Sequence, residues 1–99
     1  MDARTEHRVL IAHPNDDYVS RVLAKCRERG IQVVGPAGTA RMALALAALA
    51  PVSFALVARS LPDERNGDAL AEALNGRWGV AASVIDCPDP EQLIRDLPL

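Results

Sequence analysis

Phe54-Ala55-Leu56-Val57-Ala58 is an unbroken apolar run, and it is followed by Arg59-Ser60-Leu61-Pro62-Asp63-Glu64-Arg65-Asn66-Gly67, a charged stretch rich in turn formers. A run this short, with no polar alternation, reads as a strand buried on both faces of a parallel sheet. Upstream, Val9-Leu10-Ile11-Ala12 has the same character, and Ile31-Gln32-Val33-Val34-Gly35 is β-branched enough to be another strand, closed by Pro36 and Gly38. Downstream, Val80-Ala81-Ala82-Ser83-Val84-Ile85 makes a fourth.

Helical patterns fill the intervals. Asn15 is suited to cap a helix over 16–29, in which Asp16 and Asp17 favour the positive end of the helix dipole. Tyr18, Val19, Val22, Leu23 and Cys26 recur at three- and four-residue spacing, and Gly30 ends the pattern. Thr39 caps a second helix over 40–50, with Met42, Leu44, Leu46 and Leu49 as its apolar residues, Arg41 as its one charge and Pro51 at its end. A third helix, over 68–75, sets Leu70, Ala73 and Leu74 on one face; Gly76 and Gly79 bracket Arg77 and Trp78, whose indole is expected to cover the helix end, the alternative being an exposed anchor for a partner. Asp89, Pro90 and Gln92 stand at the N-cap, first helical and capping-box positions of a last helix that carries Leu93, Ile94 and Leu97. Four alternations of strand and helix predict an α/β domain with a parallel sheet and helices on both faces.

Residues 1–99 are enough for one domain. Hydrophobic residues make up 49% of the chain and aromatics 3%, so the core must be built of Ala, Val, Leu and Ile. A net charge of −2 with both signs spread along the chain provides no basic stripe for a phosphate backbone, which argues against nucleic acid as a partner. Cys26 and Cys87 fit no metal or redox spacing, as expected of free thiols in the cytoplasm. The polar stretch 1–8 has no signal-like apolar region, and no apolar run approaches the roughly 18 residues of a membrane span.

Three of these segments together resemble a response-regulator receiver: 8–12, 30–40 and 54–63, the last ending in the Leu61-Pro62 pair. Gly67 fits the glycine that precedes helix three in that family. The resemblance covers nearly the whole chain and implies a flavodoxin-like (CheY-like) sheet in the order 2-1-3-4, without the fifth strand and helix. It also implies a role in bacterial signal transduction.

A working receiver needs an acidic pair after strand one, an aspartate ending strand three, Thr or Ser ending strand four and Lys ending strand five. The carboxylates hold Mg²⁺ and the aspartate attacks phosphorus. The matching positions here are His13 and Pro14, Ala58, and Asp86, and the Lys has no counterpart. A methyl group cannot accept a phosphoryl group. The sequence therefore reads as a degenerate, truncated pseudo-receiver, neither an enzyme nor a metal or cofactor carrier, whose expected work is phosphorylation-independent binding of a signalling protein such as a histidine kinase or a receiver.

Other readings attach to single residues. His13 is a candidate phosphoacceptor or pH-sensitive contact, while Asp16, Asp17 and Asp86 are candidates for a displaced cation site, against the simpler reading of dipole and loop residues. Arg41, Arg59 and Arg65 are candidates to bind a phosphorylated ligand such as a cyclic dinucleotide, against a solvated loop in which the arginines pair with Asp63 and Glu64. Strand four has no Lys, Glu or Pro to blunt an open edge, so Val80, Ala82, Ser83, Val84 and Ile85, with Leu93, Ile94 and Leu97 beside them, form a candidate interface. The expected occupant is a second copy in a homodimer or a strand added by a partner.

Overall fold

The computed structural model describes residues 8–61, 66–86 and 89–95. Four strands, β1 (Arg8–Ala12), β2 (Gln32–Ala37), β3 (Phe54–Ala58) and β4 (Ala81–Ile85), form one sheet in the order β2-β1-β3-β4. All three pairings are parallel. The helices are α1 (Asp16–Glu28), α2 (Ala40–Leu49), α3 (Gly67–Trp78) and α4 (Pro90–Arg95), which makes this a flavodoxin-like α/β fold.

The predicted caps operate. Asn15 Oδ1 accepts from the Tyr18 N–H at 3.0 Å, Thr39 Oγ1 from Met42 at 3.1 Å and Asp89 Oδ2 from Gln92 at 3.2 Å. Asn66 caps α3 by accepting from Ala69 at 2.8 Å. Each bond satisfies a donor that the first helical turn leaves without an internal partner.

Strand alternation divides the core in two. Val9, Ile11, Phe54 and Leu56 face α1 and α4, where they meet Tyr18, Val19, Val22, Cys26, Leu93 and Ile94. Leu10, Ala12, Ala55 and Val57 face the other way, toward Leu70 and Leu74 of α3 and Ala40, Ala43 and Ala47 of α2. α2 turns Ala40, Ala43 and Ala47 inward, with Leu44 and Leu46 half-buried against the same cluster. Met42 and Leu49 are consequently 50% and 83% exposed, although the pattern of the sequence made them the apolar substance of that helix.

Two boundaries differ from the sequence reading by more than one residue. β2 is not closed by Pro36 but runs on to Ala37, with Leu10 paired to Val34 and Ala12 to Ala37, so β2 holds one extra residue in that interval. Gly35, at φ +108°, takes the bulge, and Pro36 is tolerated because β2 is an edge strand. α3 does not stop before Gly76. It continues to Trp78 because Gly79, at φ +67°, is the residue that adopts the left-handed C-terminal position, donating to Asn75 O at 2.9 Å while Val80 donates to Leu74 O at 3.3 Å.

The candidate interface residues are also redistributed. Val80, Ile85, Leu93 and Ile94 are buried in the two core clusters and are not free to form an edge surface. Ala82 and Val84 are half-buried, and Ser83 is exposed together with Ala81. Leu97 lies outside the described residues. The cause is α4, which lies against α1 and draws Ile85 under it; Lys25 reaches Glu91 at 3.7 Å across the same contact. β4 is nevertheless an edge of the sheet, and no other strand pairs with it among the described residues.

Candidate functional site

The carboxyl ends of β1, β3 and β4 border an open cleft of about 210 Å³, lined by His13, Pro14, Ala58, Arg59, Ser60, Ile85 and Asp86. Open parallel sheets bind ligands at this end. The four positions matched to the degenerate phosphorylation site, His13, Pro14, Ala58 and Asp86, are thus brought together.

Adjacent strand register explains the pair that dominates the cleft. Ala58 is paired with Ile85, so the next residue on each strand, Arg59 and Asp86, emerge side by side. Arg59 Nε donates to both Asp86 carboxylate oxygens, at 2.9 and 3.1 Å. The hydrogen bond and the guanidinium charge hold the Asp86 carboxyl below the usual carboxylate range, and the same contact raises Arg59. Both side chains are exposed, so the pair orients groups more than it stabilises the fold. Asp63 and Glu64, the alternative partners that the sequence offers Arg59, lie outside the described residues; the Asp86 partner and Ser60 as a cleft residue are not read from the sequence. One step beyond two apolar strand ends was the available signal.

His13 is held from three directions. Its N–H donates to Ala37 O at 2.9 Å, its Nδ1 accepts from the Asn15 N–H at 3.1 Å, and its ring lies against Tyr18 with centroids 4.9 Å apart. A backbone N–H can only donate, so Nδ1 carries the lone pair and the neutral ring bears its proton on Nε2. Burial lowers the imidazole from its ordinary value of 6.5. The unfolded chain therefore binds a proton here at a pH where the folded ring remains neutral. Stability is fully present above pH 6.5 and falls as the pH drops through that value toward the lower folded one. Asp86 and Arg59, the charged neighbours in the cleft, are shifted away from this window. Urea midpoints measured from neutral to mildly acid pH should decline in the wild type and decline less in His13→Gln; equal slopes would reject His13 as the source.

The remaining candidates lie elsewhere. Arg41 stands in the first turn of α2 and does not line the cleft, so the expected arginine cluster is not assembled from Arg41 and Arg59; Arg65 is outside the described residues. Asp16 and Asp17 occupy the first turn of α1 and are not cleft residues either. Among the described residues no group of three His, Cys, Asp or Glu side chains is placed to hold a metal ion. Cys26 is a buried thiol, pushed up by burial, and Cys87 is outside the described residues. Trp78 ends α3 with the Arg77 guanidinium 6.0 Å from its ring centre. No described helix is long and apolar enough to cross a membrane.

No family model matches the chain, and no curated protein matches it.

Proposed function

We propose that this domain is a phosphorylation-independent protein-interaction module, an adaptor or regulator in bacterial cytoplasmic signal transduction, built on a receiver-like scaffold. One observation carries the reading. The cleft where a receiver would do its chemistry ends in the methyl group of Ala58, and Asp86, the one carboxylate among the described cleft residues, is engaged by Arg59. A cleft of that composition offers no carboxylate nucleophile where a receiver would carry one, and an arginine engages the carboxylate that could have given Mg²⁺ an oxygen donor. The partner is a histidine kinase or another receiver, and the edge of β4 is the place for it to add a strand, since Ala81 to Ile85 includes no charge or proline to deter pairing.

Acetyl phosphate or beryllofluoride with Mg²⁺ is expected to leave both the intact mass and the amide NMR spectrum unchanged, and Ala58→Asp is expected not to restore phosphorylation. A Mg²⁺-dependent mass increase in the single mutant, or shifts centred on Ala58 and Arg59 in the wild type, would refute the reading. The exposed guanidinium of Arg59 at the cleft favours a second reading, a sensor of a phosphorylated small molecule such as a cyclic dinucleotide. A saturable response to that ligand, lost in Arg59→Ala, would select the sensor over the adaptor.

A further inference from the structure

Asn15 caps α1 with its side chain, and the reciprocal half of that cap is built in an unusual way. A capping box closes when Glu or Gln, three residues on, reaches back to the N–H of the cap residue. That position is Tyr18, which has neither a carboxyl nor an amide group to send back. The acceptor comes from the preceding side instead. The Asn15 N–H donates to His13 Nδ1 at 3.1 Å, while Asn15 Oδ1 accepts from the Tyr18 N–H at 3.0 Å. The Tyr18 ring lies against the imidazole, and the His13 N–H ties the corner to Ala37 O at the end of β2. His13 is only 6% exposed, so the arrangement is shielded from water.

An imidazole accepts at Nδ1 only while it is neutral. A proton added to that lone pair makes Nδ1 a donor, and two donors then face each other where a hydrogen bond had been. A glutamate or glutamine in the same role would remain an acceptor through the pH range in which histidine titrates. Pro14 joins the two bonded residues and lines the cleft together with His13, so the corner cannot give way without moving one wall of the cleft. The charged groups on the surrounding elements are Asp16 and Asp17 in the first turn of α1, Arg59 and Asp86 at the ends of β3 and β4, and Arg41 in the first turn of α2. Asp16 and Asp17 are exposed and screened by solvent, and Arg59 and Asp86 engage each other. Burial is what lowers the imidazole from its ordinary value.

We infer that His13 is a proton-operated latch: a proton on Nδ1 releases the β1–α1 corner and the Pro14 wall of the cleft while the sheet and its helices stay folded. The inference goes beyond the interaction role and does not depend on it, since it rests on the corner alone. It also differs from the fall in global stability described above, because the rearrangement is local and precedes unfolding.

Heteronuclear NMR on the full chain, titrated from about pH 8 to about pH 5, tests it. The neutral His13 ring is expected to carry its proton on Nε2. The Asn15 and Tyr18 amide signals are expected to move along the same curve as the ring, with a midpoint below 6.5. Amides of Arg59 and Ser60 across the cleft should follow, whereas those of Leu56 and Leu74 in the core should stay in place. His13→Gln supplies an acceptor that does not titrate and should abolish the step; His7→Gln removes the other histidine of the chain and should leave it unchanged. The wild-type curves decide the question even if His13→Gln fails to fold. A neutral ring protonated on Nδ1, a ring that stays neutral down to about pH 5, Asn15 amides that ignore the ring, core amides that move with it, or a step that survives in His13→Gln would each overturn the proposal.

Discussion

Gly67→Ala is expected to cost about 3 kcal/mol or more, a large part of the roughly 5–15 kcal/mol that holds a small domain folded. Gly67 opens α3 directly against the end of β3, and its N–H donates to Arg59 O at 2.8 Å. A Cβ at this position would overlap the Ala58 carbonyl oxygen, and it would lie 3.0 Å from the Ala58 carbonyl carbon and 3.1 Å from the Arg59 Cα. All three neighbours are backbone, so no rotamer change relieves the clash. Relief requires moving α3 away from β3, which breaks the Gly67 hydrogen bond and displaces Leu70 and Leu74 from the core. Gly76→Ala is the control. A Cβ there meets nothing within 4 Å, and replacing this glycine in the last turn of α3 should stabilise by up to about 0.5–1 kcal/mol, the range for a helix interior. Urea denaturation followed by circular dichroism should separate the two glycines in opposite directions; a Gly67→Ala midpoint equal to wild type would show that α3 is free to shift.

Leu74→Ala should be comparably severe, at about 4 kcal/mol, in the upper part of the range for leucine truncation in a core. Leu74 is fully buried between α3 and the sheet, in a cluster where Ala12, Ala37, Ala40, Ala43, Ala47, Ala55 and Ala58 form much of the wall. Alanine has no rotamer with which to fill a vacated space, so the cavity persists unless a helix moves. Leu49→Ala should change stability by no more than about 0.5 kcal/mol, because that side chain is already in solvent. Similar losses for the two leucines would contradict the packing of α2 described above.

These leucines mark the limit of what was legible in the sequence. The order of elements, the caps at Asn15, Thr39 and Asp89 and the inward face of α1 are properties of residues within a few positions of one another, and short-range spacing encodes them. The sheet order came only with the resemblance to a receiver, because right-handed crossovers by themselves admit several strand orders. Other features join residues that are distant along the chain, and only the folded arrangement decides them. Arg59 meets Asp86 because β3 and β4 pair in one particular register. Pro36 is admitted to a strand because β2 lies at the edge and bulges at Gly35. Ile85, Leu93 and Ile94 join the core rather than an open surface because α4 settles on α1. α2 is the clearest case: it is apolar almost all round, and only its packing on the sheet decides that Ala40, Ala43 and Ala47 face inward while Met42 and Leu49 stay in solvent.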